Sequence, residues 1–234
     1  MKDDELSDSW NKIDHAISIC IEHLQKDLKL HFYRNDLKLG QIYDNVQIVL
    51  PVDNPITPHI DLTGRNSLWW STIHLGNLLI DLFRFAIINK IFLRGCITGG
   101  KFIETNKRIF GFAVNTAAAL YEKSNWLGIS LSPYVEMILN NARDVYGFSQ
   151  IFIDYDVPVK HSKDEHIIVS KEKQKTLNWT LTKERKALHR NYNIPTVSND
   201  QIKSVIVEEL ETSRDELAKQ KWKNTESFFM TVNK

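Results

Sequence analysis

The sequence predicts a mixed α/β (α+β) fold, and three observations carry that prediction. Residues from Ser67 to Lys90 are apolar nearly all round a helical period, as in a helix covered by other elements. Short β-type segments punctuated by glycine follow, from Ile91 to Glu104 and again from Gly128 to Ser132. Ile151, Ile153, Tyr155, Val157 and Val159 then recur at the two-residue period of a strand. At 234 residues and 42% hydrophobic, the chain is long enough to bury a sizeable core without disulfides or metals.

In chain order, residues 1–9 read as a frayed, acidic start. Ile13, Ile17, Cys20, Ile21, Leu24 and Leu28 recur every three or four residues, the pattern of an amphipathic helix. His31 to Arg34 opens a hairpin whose return strand covers Gln41 to Val52 and is ended by Pro51, Pro55 and Pro58, which cannot donate to a ladder. Asn54 to Asn66 is a loop. Beyond the helix Ser67 to Lys90, Ile91 to Thr98 is a strand, Gly99-Gly100 turns the chain, and Lys101 to Glu104 returns as a second strand. Gly95, Gly99 and Gly100 so close together predict a close backbone approach. Phe110 to Lys123 is a helix, Gly128 to Ser132 a strand stopped by Pro133, and Val135, Ile138, Leu139, Ala142 and Val145 line another helix.

Past Gly147 the pattern changes to a small β meander, with further strands at Ile167 to Ser170 and Leu177 to Leu181. A polar loop with Pro195 leads to one long helix from about Asp200 to Trp222, and Phe228-Phe229 tucks its end onto the core. The expected organisation is a domain over residues 1–150 and a C-terminal extension over 151–234 packed on it.

Thirty basic residues against twenty-nine acidic ones give a formal charge of +1, without the basic excess of a dedicated nucleic-acid binder. Cys20 and Cys96 are too few for a disulfide framework and fit a reducing cytoplasm. The acidic start has neither the basic end nor the apolar run of a secretory signal. The uncharged run between Arg65 and Asp81 falls short of the ~20 residues of a membrane span. A cytoplasmic chain without membrane or nucleic-acid partners is expected, and the glycosylation-type triplet Asn178-Trp179-Thr180 is then incidental.

The segment from Leu93 to Pro133 carries most of the functional information. It contains Leu93-Arg94-Gly95-Cys96-Ile97-Thr98-Gly99-Gly100, then Gly111-Phe112-Ala113-Val114-Asn115-Thr116-Ala117, then Gly128-Ile129-Ser130-Leu131-Ser132-Pro133. Upstream stands Ile42-Tyr43-Asp44-Asn45-Val46; downstream stand Tyr155-Asp156-Val157-Pro158-Val159-Lys160, Leu177-Asn178-Trp179 and Trp222 to Phe228. Together these resemble the catalytic domain of class III nucleotidyl cyclases, and among them a bacterial branch that includes the pyrimidine cyclases of anti-phage signalling. The resemblance spans roughly residues 10–230 and is most specific in its central block.

The resemblance implies a ferredoxin-like cyclase-homology sheet with packed helices, and a head-to-tail homodimer whose sites combine residues of both chains. It implies Asp44 as a ligand of Mn2+ or Mg2+, Arg94, Gly95 and Tyr43 as nucleotide-binding residues, and Asn115 as the residue that orients the ribose of a nucleoside triphosphate. Two metal ions in such a site activate the attacking oxygen and neutralise the leaving phosphates. Two departures weigh against activity. The strand that should carry a first metal aspartate has no counterpart in residues 1–9, and half-made metal sites bind weakly. Ala119 stands where the family has an arginine that stabilises transition-state charge.

Plainer roles compete for the same residues. An Asp before Asn is a common turn pair, and Asn115 serves equally as a helix cap. Asp154 and Asp156 share one face of a strand and read as solvated edge carboxylates. His161 and His166 lack further ligands at zinc spacing, and Ser130 and Ser132 lack the elbow and histidine of a nucleophile. The expected function is that of a degenerate or N-terminally truncated cyclase-homology protein, a nucleotide-binding or regulatory module. The alternative is an active cyclase converting a triphosphate such as CTP or UTP to a 3′,5′-cyclic nucleotide and pyrophosphate in anti-phage defence.

Overall fold

An apolar helix longer than any other among the described residues must be covered on every side, and the architecture is arranged to do so. The computed structural model describes residues 11, 14, 15, 18, 38–42, 45–49, 67–105, 108–140, 150–160, 170–182 and 196–233. Asn11, Asp14, His15 and Ser18 are helical with exposed side chains, the polar face the sequence predicts; the apolar positions of that helix lie outside the described residues. β1 (Lys38–Ile42) and β2 (Asn45–Val49) pair antiparallel, with Ile42 opposite Asn45. The expected hairpin is thus shifted, because Gln41 to Val52 is not one strand. A two-residue connection leaves the two-residue period unbroken, so Ile42, Asp44, Val46 and Ile48 alternate straight through it.

α1 (Ser67–Ile88) is the expected helix, and between residues 71 and 88 none of its side chains is exposed. Its segment Ser71–Ile88 is long and apolar enough to cross a membrane, yet 72% of it is buried inside this fold. The chain itself covers the helix, so its apolar surface gives no argument for an interface. Gly76 sits where α1 meets the start of a strand: a Cβ there would come within 2.6 Å of Phe152 and 2.9 Å of Ile151.

β3 (Gly95–Ile97) is shorter than the predicted Ile91 to Thr98. The chain after it does not return along β3. Instead β4 (Ile103–Thr105) pairs with β5 (Arg108–Phe110) in a hairpin of its own. Gly111, at φ 138°, explains the tight local closure, since a Cβ there would lie 2.6 Å from the Lys101 carbonyl oxygen. Gly111 also caps α2 (Phe112–Lys123), which starts two residues later than expected. β6 (Ile129–Leu131) runs parallel to β3, and Pro133 opens α3 (Pro133–Asn140) rather than merely ending the strand. The predicted continuation of α3 to Val145 lies outside the described residues.

β7 (Phe152–Val159) and β8 (Ser170–Leu177) complete one four-stranded sheet in the order β3-β6-β8-β7. The residues expected to form an attached meander therefore supply half of the main sheet. β8 joins the end of one predicted short strand to the start of the other, and residues 178–181 are not strand; Ile167 to Val169 lie outside the described residues. The β8 run Lys171-Glu172-Lys173-Gln174-Lys175 looks unlike a strand because β6 reaches only as far as Thr176, so the polar stretch pairs with β7 alone and stays wet. Asp154 lies opposite Lys175, with which it pairs at 3.1 Å. The predicted single C-terminal helix is two: α4 (Asn199–Thr212), opened by a capping box between Ser198 and Gln201, and α5 (Glu216–Val232), capped by Asp215. Ser213 and Asp215 offer the backbone local partners that compete with a continuous helix.

The centre of the core is aromatic. Trp126, Trp179 and Phe228 are fully buried, with ring centroids of Trp126 and Trp179 at 4.7 and 5.3 Å from that of Phe228. Phe83 of α1 stands 5.2 Å from Trp179, and Tyr155 of β7 meets Phe228 edge-on. The triplet Asn178-Trp179-Thr180 is buried in this layer, with the Thr180 hydroxyl donating to Asn178 at 2.7 Å. Buried Arg84 of α1 donates to the carbonyls of Trp179 and Val197 and to the Asn199 side chain.

Two stability outcomes follow from this packing. Arg84→Met leaves three acceptors on two separate segments without this donor and lowers unfolding free energy by about 2–4 kcal/mol in urea titration. Arg84→Lys does not restore it, because an ammonium lacks the planar fork that spans these acceptors. Gly76→Ala gains ~1 kcal/mol of helix propensity but overpacks against Phe152, for a net loss of about 1–2 kcal/mol. A variant as stable as the parent in either titration would contradict the corresponding packing.

Candidate functional site

β3 is the axis on which the sequence-predicted residues can be located. α2 packs on it with the two chains running in opposite directions: Gly100 at the far end of β3 lies against Phe112 and Ala113, while Arg94 at the near end lies 5.5 Å over the ring of Tyr121. The three strand residues separate the ends of β3 by roughly 10 Å. Along α2, the six residues from Asn115 to Tyr121 span about 9 Å.

At the far end stand the glycine turn and Asn115. A Cβ on Gly99 would meet the Tyr134 ring at 2.9 Å, so the close approach predicted for the glycines is real here, whereas at Gly95 the nearest neighbour is Ile129 at 3.9 Å. Asn115 is exposed on α2 and is not its cap: its backbone N–H donates to the Gly111 carbonyl at 3.1 Å. Ala119, one turn on, is exposed on the same side. Large apolar side chains surround this end. Ile103 and Phe112 are 71% and 73% exposed, and Phe110, the register partner of Ile103, is also exposed.

At the near end stand Arg94 and Gly95, whose N–H donates to the Gly128 carbonyl. Arg94 is thereby brought together not with Asn115 but with residues the sequence did not single out as a group. The Lys160 N–H donates to the Lys123 carbonyl at 2.9 Å, and Ser124 bridges Val159, which seats the end of β7 beside the end of α2. Asn224 of α5 donates to the Asn125 carbonyl, and Thr225 accepts from the Leu127 N–H, which seats α5 on the same loop. Phe92 meets Trp222 edge-on at 4.4 Å. Residues 94, 160 and 221 are far apart in sequence, so no spacing rule could have joined them.

Electrostatics mark this corner. Burial, and then the charge of Arg94, hold the Lys160 ammonium below the ordinary lysine range. Lys221 is lowered by burial, then by Arg94 and Lys160, with Asp215 acting the other way. Cys96 is different: burial pushes its thiol up to about 12, which leaves it a poor nucleophile.

Tyr43 and Asp44 fall between β1 and β2, outside the described residues, as do His161 and His166. Among the described residues no group of three His, Cys, Asp or Glu side chains is positioned to hold a metal ion. The described residues alone therefore do not make the two-metal site the resemblance implies. Compared with family models, curated proteins and solved structures, the chain finds no match in any of the three.

The lowered lysines give a pH signature with a definite sign. A lysine whose folded value is depressed binds fewer protons folded than unfolded, so its contribution to stability rises with pH up to the unfolded value near 10.5. Lys90, raised by its hydrogen bond to Glu208, and Tyr155, raised by burial, act oppositely in alkali. The difference between parent and Arg94→Ala isolates the corner. Arg94→Ala is expected to gain most in stability near neutral pH, with the gain shrinking toward pH 10. Urea midpoints between pH 7 and 10 that differ by a constant amount would contradict the repulsion.

Proposed function

We propose that this chain is a nucleotide-binding module of the nucleotidyl cyclase kind, which holds a nucleoside triphosphate without cyclising it. The observation that carries the reading is the far end of β3. There a tight glycine turn lies against Phe112 and Ala113 at the start of α2, Asn115 is exposed in the first turn of that helix, and the side chain one turn further along is the uncharged Ala119. The amide of Asn115 can both donate to and accept from a ribose hydroxyl. Ala119 offers nothing to a transition state that gathers negative charge, and loss of one such electrostatic group typically costs on the order of 10²–10³ in rate. Asp44 and Tyr43 complete the reading from the sequence, as metal ligand and nucleotide contact.

The module works as a homodimer in this reading. Ile103, Phe110 and Phe112 form an exposed apolar group beside Asn115, and such patches commonly mark interfaces. A second copy covering them would bring its own residues to the nucleotide.

Thermal shift and product analysis test the reading together. With manganese and each of ATP, GTP, CTP and UTP, at least one triphosphate raises the melting temperature by mass action. Asp44→Ala and Asn115→Ala both abolish that shift. Chromatography of overnight reactions yields no cyclic nucleotide above background. A cyclic product that disappears in Asp44→Ala would instead make the chain an active cyclase. Light scattering at micromolar concentration gives a dimer mass, and Phe112→Asp gives a monomer; a monomeric parent sinks the composite site.

A further inference from the structure

We propose that Arg94, Lys160 and Lys221 form a binding site for a small polyphosphate anion, distinct from the end of β3 that carries Asn115. Three elements distant in sequence deliver one cation each to one corner: the residue before β3, the residue after β7, and the second turn of α5. The backbone hydrogen bonds from Lys160 to Lys123 and the seating of α5 by Asn224 and Thr225 hold that corner together. The Tyr121 ring lies under the Arg94 guanidinium, which limits its rotation, and Arg94 remains exposed.

Like charges gathered this way repel, and the repulsion is strongest where burial removes water. Among the described residues no carboxylate is within ion-pair distance of any of the three. The ion pairs of neighbouring elements lie elsewhere, Lys90 with Glu208 and Lys175 with Asp154. Among the described residues Asp215 offsets Lys221 electrostatically. The corner thus gathers three cations whose mutual repulsion an anion relieves.

The class of anion follows from charge and extent. One carboxylate answers one of the three cations. A chain of two or three phosphates supplies comparable negative charge in a length that three neighbouring groups can span, with a guanidinium to bind oxygens bidentately and two ammonium point charges. A nucleic acid asks for an extended basic face, and a chain with a formal charge of +1 offers no such excess. Inorganic di- or triphosphate and the phosphate tail of a nucleotide share the recognised chemistry.

Isothermal titration with inorganic triphosphate, without metal, tests the site on the full chain. The parent binds, and the double variant Lys160→Gln/Lys221→Gln weakens binding at least tenfold. Lys203→Gln, which removes one exposed charge from α4, leaves affinity within twofold of the parent. Circular dichroism verifies that each variant is folded, and Arg94→Gln, at an exposed position, gives an independent loss should the double variant fail to fold. No binding by the parent, or equal affinity in parent, double variant and Arg94→Gln, would overturn the proposal. Competition with CTP and ATP separates the sources: equal competition assigns the site to phosphate alone, and tighter binding of one nucleotide assigns it to that nucleotide's tail. The inference stands apart from the nucleotide-binding module at Asn115. A nucleoside triphosphate shift that survives Asn115→Ala but is lost in the lysine double variant would refute that module and support this site.

Discussion

Arg84 is the constraint on which the assembly of this fold depends. It projects from near the C-terminal end of the apolar helix α1 and is buried, where a cation is tolerated only if its donors are satisfied. Its guanidinium reaches the Trp179 carbonyl at 3.2 Å, the Val197 carbonyl at 2.5 Å and the Asn199 side chain at 2.7 Å. Those acceptors close the turn after β8 and the approach to α4. Asn199 then donates to Asn233, and Asn233 to the Phe229 carbonyl, so one polar chain runs from the core helix to the last turn of α5. The planar guanidinium lets a single side chain serve several acceptors that no aliphatic residue could hold in register.

Around that polar chain the aromatic layer excludes water. Trp126, Trp179, Phe228, Phe83 and Tyr155 come from the loop after α2, the turn after β8, α5, α1 and β7. Each ring removes a large apolar area from water, and their tilted and edge-on contacts add specificity to the burial. The residues that look like the tail of a cyclase are largely spent here. Trp179 and Asn178 are core residues, and Asn224 and Thr225 hold the loop that carries Trp126. Their chemistry is structural: they hold core and loop together.

The same packing divides the candidate chemistry between the two ends of a three-residue strand. α2 lies antiparallel to β3, so residues close in sequence, Arg94 and Gly99, are held apart, while Arg94, Lys160 and Lys221 are gathered at one corner. One end offers a tight turn, an exposed amide and apolar surface. The other offers concentrated positive charge over an aromatic ring. These environments suit different ligands, and neither depends on the other for its geometry.

Much of the fold was legible in residue order because it rests on local rules. The all-round apolarity of Ser67 to Ile88 could only mean a covered helix, and the alternation before Pro158 and the stop of β6 ahead of Pro133 follow from period and from proline's missing donor. Gly99 was visible as a tight-turn residue for the same reason, whereas Asn115 and Arg94 stood out only through the resemblance. What residue order left open was set by partners distant in the chain. β8 is a strand despite its lysines because β7 pairs with it and β6 stops short; the long C-terminal helix breaks because Ser213 and Asp215 find backbone partners of their own. The covering of α1 from within, and the meeting of Arg94 with Lys160 and Lys221, were decided by how sheet and helices stack. Periodicity reports which face of an element is buried; only the assembled layers decide what lies against it.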